Sequence, residues 1–281
     1  ASKIKTPGSA IVIVTFVSLV ACWINWGFGL VIGALFAKQI AKTVRGVDYR
    51  LLIASAYSGF VIWHGGLAGS IPLSLATKDH PFEKITGIIP TSDTIFTPYN
   101  MFIVLVILFT LPIFNRFMMP KPEDVVEVRP ELIQEETHVF PPADGSFASR
   151  SERSYVITAI VAVIGLTYLG WHFATKGFAL DLNVVNTIFV VLGIVLHGTP
   201  QRFLAAVEDA IKTTSGIVFQ FPFYAGIMGM MTASGLVSVM SAWFVSVSNE
   251  HTFYLFAFWS AGLVNFFVPS GGGQWAVQGP I

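Results

Sequence analysis

Charge is what this sequence has least of. Only 11% of its 281 residues are Asp, Glu, Lys or Arg, against about 25% in soluble domains. Sixteen basic and sixteen acidic residues cancel, so nothing favours nucleic acid or an acidic partner. The single cysteine, Cys22, excludes an internal disulfide framework and a cysteine-rich metal site. No G-x-x-x-x-G-K-[ST] run occurs, so the chain carries no nucleotide motor of its own. H-E-x-x-H is absent too, and no nucleophile–base pair stands at motif spacing. The expectation is therefore no enzyme, no metal and no organic cofactor. The most telling absence is positional. The interiors of the long apolar runs hold no Asp, Glu, Lys or Arg, so an anionic substrate there would meet neutral groups. The chain also lacks an initiator Met and a leader pattern, and it stops inside a motif; the expectation is a piece of a longer protein.

What is present is apolar. Hydrophobic residues make up 54% of the chain and the mean hydropathy is +0.70. A membrane helix needs about 20 mostly apolar residues. The runs Ser9–Phe36, Leu51–Ala76, Pro98–Phe117, Tyr155–Ala174, Asn183–His197, Ser215–Thr232, Leu236–Val247 and Thr252–Val268 supply seven or eight such segments. Gln201–Lys212 reads as an interfacial amphipathic helix. Between 118 and 153 the chain is rich in Pro, Glu and Ser without apolar period, which predicts a solvated flexible linker. That divides the chain into a membrane half 1–117, a hydrophilic linker 118–153 and a second membrane half 154–281. The basic residues Lys38, Lys42, Arg45 and Arg50 on one side, and Arg116, Lys121, Arg150 and Arg153 on the other, mark cytoplasmic loops. The fold class is all-α, a polytopic membrane helical bundle.

Several runs are interrupted by residues that a lipid-facing helix does not need. Asn25-Trp-Gly-Phe-Gly29 is one break, and Trp63-His-Gly-Gly-Leu-Ala-Gly-Ser-Ile-Pro72 a second. Gln220-Phe-Pro-Phe-Tyr224 is a third, where Pro222 removes a helix hydrogen bond. The fourth is Asn265-Phe-Phe-Val-Pro-Ser-Gly-Gly-Gly-Gln-Trp275. Non-helical backbone at membrane depth is tolerated only where protein or a water-filled cavity surrounds it. Gly59–Pro72 and Gly262–Trp275 also share a plan: apolar helix, polar-aromatic cluster, glycines, restart. Paired interruptions of this kind point to a transporter site.

Each motif has a structural reading beside the functional one. Gly271–Ala276 fits G-x-G-x-x-A but follows no soluble strand, so dinucleotide binding is excluded. Gly29-x-x-x-Gly33 and Gly65-x-x-x-Gly69 fit close helix packing. Three adjacent glycines at Gly271, Gly272 and Gly273 exceed what packing needs. Their N–H groups form a concavity for an anion, helped by a restarting helix N-terminus. Ser70, Ser270 and Gln274 are further donors, while Trp63 and Trp275 are apolar wall. Gly65 and Gly66 are the corresponding backbone at the second break, and Gln220 and Tyr224 the polar groups at the third. This seat suits a small carboxylate with a short apolar tail. For coupling, His64 is the candidate proton carrier, with a structural histidine as the alternative. Asn25, Asn265 and Ser270, with broken-helix carbonyls, are sodium candidates.

The series Asn25–Leu30, Asp48–Leu52, Trp63–Leu73, Gln220–Tyr224 and Val268–Pro280 closely resembles the bacterial short-chain fatty acid transporter family, in order and across nearly the whole chain. The resemblance implies a multi-pass secondary transporter of the bacterial inner membrane that moves acetoacetate, butyrate and similar monocarboxylates by symport with Na+ or H+. It also implies a parent longer than this chain. Through the wider ion transporter superfamily it implies inverted repeats, re-entrant hairpins and an elevator-like movement. The lipid bilayer and the acid are the expected partners, and a homo-oligomer is left open. Transport of another small organic anion, an anion channel and a non-transporting receptor remain alternatives.

Overall fold

The computed structural model describes residues 4–80, 83–129, 131, 140, 142–267 and 270–279. Among them the chain forms helices and no strand. In order these are α1 (Pro7–Ile24), α2 (Trp26–Thr43), α3 (Tyr49–Ser58), α4 (Ser70–Ala76), α5 (Glu83–Thr86), α6 (Pro98–Phe117), α7 (Phe147–Glu152), α8 (Tyr155–Lys176), α9 (Leu182–His197), α10 (Pro200–Ala233), α11 (Leu236–Ser246), α12 (Phe253–Phe267) and α13 (Gly271–Gln278). A 3-10 stretch, Gly59–Gly65, continues α3. Four segments are long and apolar enough to cross a membrane: Pro7–Ile24, Tyr49–Ala76, Pro98–Phe117 and Tyr155–Lys176. Phe102, Phe109 and Phe114 on α6, and Val156, Val163 and Ile164 on α8, are exposed. Such apolar faces suit lipid and not water. The protein is a multi-pass membrane helical bundle.

It divides into two compact units, Ala1–Leu73 with Ile89–Pro141, and Ser74–Ile88 with Pro142–Ile281. Composition places the division at 118–153. In the structure the 74–88 segment joins the second unit, and the first part of the hydrophilic stretch stays with the first.

In the first unit Ser9–Phe36, long enough to span with a tilt or a break, breaks at Asn25 and is the body of a helical hairpin. Asn25 makes the turn alone. Its N–H closes α1 on the Ala21 carbonyl at 2.9 Å, and its Oδ1 accepts from Phe28 N–H at 3.0 Å to open α2. This is what an Asn N-cap does: its side chain stands in for a missing helical acceptor. The arms run antiparallel at very short range. A Cβ at Gly29 would lie 2.4 Å from Cys22 N, and one at Gly33 2.8 Å from Ser18 Oγ. Further down, Ala37 and Ile40 pack with Val14, Ile11 and Ala10. α3 runs parallel to α1, with Leu52 and Ala56 in that cluster and Ile62 against Leu19 and Cys22.

The basic ends of these helices gather on one face. Pro7 lies against Gly46, and Gly8 against Arg116 at the end of α6. Of the hydrophilic 118–153 stretch, read as a largely flexible linker, the part around Asp124–Glu127 is fastened to this face. Val126 donates to Asp48 Oδ2 at 2.9 Å, and its carbonyl accepts from Tyr49 N–H at 2.8 Å. Arg50 Nη2 donates to the Asp124 carbonyl at 2.9 Å, and Gly46 N–H to Glu127. Asp48 also N-caps α3 through Leu51 N–H at 2.9 Å. Burial raises the pKa of its carboxyl, but the hydrogen bonds from Arg50, Val126 and Leu51 outweigh that and hold it at about 2.

In the second unit α8 and α9 form an antiparallel pair, with Gly165 against Val191 and Gly198 against Tyr155. The third expected break is corrected. α10 is one continuous helix that passes through Pro222 and joins the amphipathic Gln201–Lys212 to the apolar stretch after it. Proline in a helix interior removes a hydrogen bond without necessarily ending the helix. Val268 and Pro269 of the fourth break lie outside the described residues, but the elements on either side fold back as a hairpin, α12 antiparallel to α13.

Candidate functional site

The first unit builds a junction at the hairpin tip. The chain breaks helix at Gly66, whose backbone is extended, and restarts at Ser70, the half-buried first residue of α4. Into that gap fits the end of α1. Trp23 carbonyl accepts from Leu67 N–H at 2.7 Å, and Trp23 Nε1 donates to the Gly65 carbonyl at 3.1 Å. A Cβ at Gly66 would stand 2.2 Å from the Trp23 carbonyl oxygen, so only glycine admits this approach. Asn100 Nδ2, at the start of α6, donates to the same Gly65 carbonyl at 3.1 Å and to the Ile95 carbonyl at 2.7 Å. The N–H of Gly66 is engaged by Trp63 and that of Gly69 by the Gly66 carbonyl. With Leu67 that makes three amides engaged inside the protein, so this Gly-rich turn acts as a socket for Trp23.

Beside the socket stands an aromatic ladder. Phe60 and Trp63 stack at 4.8 Å, and Trp63 and His64 at 4.1 Å. Trp26, just past the hairpin turn, lies 5.4 Å from Trp63. Trp63 Nε1 is anchored on the Ala68 carbonyl at 2.9 Å. His64 is different: its Nδ1 is buried without a hydrogen-bond partner. Asn25, Trp63, His64, Gly65 and Gly66 thus come together. Trp23, Trp26, Phe60 and Asn100 are members that the sequence reading missed. Asn100, a lone amide opening an apolar run, carried the available signal.

In the second unit Ser270 N-caps α13, accepting from Gly273 N–H at 3.3 Å through Oγ and from Gln274 N–H at 2.7 Å through its carbonyl. Gly271, Gly272 and Gly273 are its first turn. N–H groups of the first helical turn have no acceptor within the helix. Ser270 takes the third, which leaves those of Gly271 and Gly272 pointing outward at the positive end of the helix. Gln274 is committed elsewhere. Its Nε2 donates to the Ala261 carbonyl at 2.7 Å and to Gln278 Oε1 at 3.2 Å. Asn265 Nδ2 donates to Gln274 Oε1 at 2.8 Å, and Gln278 Nε2 to Ser260 Oγ at 2.6 Å. This amide chain stitches α13 to α12. One side-chain donor of α13 is left over among the described residues: Trp275 Nε1, buried and without a partner. Its indole lies where a Cβ at Gly279 would be 2.8 Å away.

Gln220 and Tyr224 lie one turn apart on α10. Tyr224 hydroxyl donates to Gln220 Oε1 at 3.4 Å, and Gln220 is exposed. Neither hairpin turn carries a charged side chain, and among the described residues no cluster of His, Cys, Asp and Glu fit for a metal occurs. Chemically, the start of α13 offers backbone N–H donors to an anion, with the Trp275 N–H a separate donor beside Gly279, and the first-unit junction offers aromatic surface and an imidazole edge.

The family model "Short chain fatty acid transporter" matches residues 1–281. A protein of Escherichia coli (strain K12), named as a candidate short-chain fatty acid transporter, is 46% identical over the whole of this chain and 64% of its own length. One of Haemophilus influenzae (strain ATCC 51907 / DSM 11121 / KW20 / Rd), with the same name, is 43% identical over the whole chain and 65% of its length. The chain thus spans just under two thirds of these relatives. No solved structure matches it. Family and relatives are transporters and not enzymes. On its sequence from end to end, the chain belongs to the short chain fatty acid transporter family.

Proposed function

We propose that the full-length protein is a secondary transporter of short-chain monocarboxylates, such as acetoacetate and butyrate, across the bacterial inner membrane. The observation that carries this is the α13 turn. Ser270 caps three glycines, Trp275 Nε1 stands buried without a partner, and no cation is nearby in sequence. A monocarboxylate is received there by the Gly271 and Gly272 N–H groups and the helix dipole, with the Trp275 N–H a further donor along α13 and apolar surface for its tail. A dicarboxylate or phosphate, with more charge to desolvate, is poorly matched to neutral donors. Coupling is to Na+ or H+. His64, with its unpartnered Nδ1, is the proton candidate; Asn25, Asn265 and Ser270 at the hairpin turns are the sodium candidates.

The test is uptake of labelled butyrate and acetoacetate into proteoliposomes made with the full-length protein, under separate proton and sodium gradients. Saturable, gradient-driven uptake is the expected result. No uptake under either gradient, or fast flux that neither saturates nor follows a gradient, would sink the reading, the latter in favour of an anion channel. A His64→Ala variant that keeps proton-driven uptake removes His64 as the proton carrier.

A further inference from the structure

Away from both hairpin turns, the first unit buries a second polar group where α1, α3 and α6 meet. Asn115 Nδ2, near the end of α6, donates to Thr15 Oγ1 at 3.1 Å and to Ser58 Oγ at 2.9 Å. Thr15 hydroxyl donates to the Ile11 carbonyl at 2.8 Å, and Ser58 hydroxyl to the Ser55 carbonyl at 2.9 Å. Ser18 hydroxyl donates across the seam to the Ala56 carbonyl, 38 positions away in sequence. Thr15 and Ser55 hold the adjacent positions of that same parallel seam. Ser55 is 1% exposed and Thr15 0%. Ser55 Oγ has no partner at all.

The hydrogen-bond directions matter. Each hydroxyl carries one donor and two acceptor lone pairs. Thr15, Ser18 and Ser58 all turn their protons outward onto backbone carbonyls. The lone pairs face inward, and only the two N–H bonds of Asn115 meet them. The cluster has a surplus of acceptors in a place where water is scarce and unmet polar atoms cost several kcal/mol each. A cation relieves that surplus. The oxygens are hard ligands, all neutral, and no carboxylate lies among them. A divalent ion, which relies on carboxylate ligands, is therefore disfavoured against a monovalent one, as in sodium sites made of carbonyls and neutral side chains.

We propose that Thr15, Ser55, Ser58 and the amide oxygen of Asn115 form a binding site for one monovalent metal cation, entered past the half-buried Ser58. Turning the Asn115 amide over presents its oxygen in place of its NH2. Rotating the Thr15 and Ser58 hydroxyls releases the Ile11 and Ser55 carbonyls as further ligands. The site adds to the coupling reading above, but its readout is cation binding and not uptake, so either can fail alone.

Thermal unfolding of the purified full-length protein, followed by tryptophan fluorescence, tests it in NaCl, KCl and choline chloride at equal ionic strength. One of the metal chlorides is expected to raise Tm saturably above choline chloride. Ser55→Ala removes only a hydroxyl without a partner, so its Tm in choline chloride stays at or above the wild-type value. Its half-saturating cation concentration rises at least tenfold, and Thr15→Val does the same. No metal-specific rise in the wild type overturns the proposal, as does a Ser55→Ala protein that keeps the wild-type half-saturation.

Discussion

At the scale of single residues, donors that look alike in sequence differ in whether they are free. Gln274 and Trp275 are neighbours on α13, yet Gln274 is engaged with Ala261 and Gln278 while the Trp275 N–H has no partner. Trp275→Phe keeps the ring and deletes the N–H. If that group meets a carboxylate, one charge-assisted hydrogen bond of about 1.5 kcal/mol or more is lost. The apparent KM for butyrate should rise about tenfold, with Tm within a degree or two of wild type. An unchanged KM would remove the indole N–H from the seat. Gly66 makes a second residue-level prediction. Its Cβ would meet the Trp23 carbonyl oxygen, a backbone atom, at 2.2 Å, so Gly66→Ala should cost about 1–3 kcal/mol or more. Gly27→Ala is the contrast, since its nearest neighbour is Asn25 Oδ1 at 3.5 Å and alanine favours helix over glycine by about 1 kcal/mol. Equal melting temperatures for the two variants would disprove the socket.

At the scale of elements, the question is what a break becomes. Asn25-Trp-Gly-Phe-Gly29, Trp63–Pro72 and Gln220–Tyr224 each interrupt an apolar run. The structure makes them a hairpin turn, a socket and an uninterrupted helix. Sequence shows that local helix is weakened; it does not show whether tertiary packing exploits the weakness. Asn25 becomes a turn because Gly29 and Gly33 let α2 close onto Cys22 and Ser18, a long-range contact invisible to local propensity. Pro222 does not become one, and its neighbours Gln220 and Tyr224 bond each other along the helix. Pro222→Ala should therefore be neutral or stabilising in thermal unfolding, by on the order of 1–3 kcal/mol, and should leave butyrate uptake intact. Lost uptake would restore a working break there. The three-helix polar cluster at Asn115 and the Asn100 clamp went unread for the same reason: single Ser, Thr and Asn residues in apolar runs look incidental until their partners are known. The α13 turn was the most legible part, since three glycines after a proline have few structural uses.

At the scale of the molecule, the basic face of the first unit is fastened by a hydrophilic segment. Asp48 joins the start of α3 to Val126 and Arg50. Its carboxyl, ordinarily titrating near 4, is held at about 2. Because the folded value lies below the unfolded one, its contribution to stability is present above pH 4 and lost as pH falls toward 2. Asp48→Ala should lower stability by about 1–2 kcal/mol at pH 7, a helix-cap loss with its added hydrogen bonds. The gap between variant and wild type should close as the pH approaches 2. A gap independent of pH would show that the carboxylate charge is not the cause. The hairpin at Asn25 finally changes a parity. Each arm has 18 residues, about 27 Å of helix, and the second arm undoes the first. One apparent crossing becomes two in opposite directions, so the start of α1 comes to rest on the basic face, Pro7 beside Gly46 and Gly8 beside Arg116. A reporter fused ahead of α1 would report the opposite compartment from the one that counting apolar runs assigns to it.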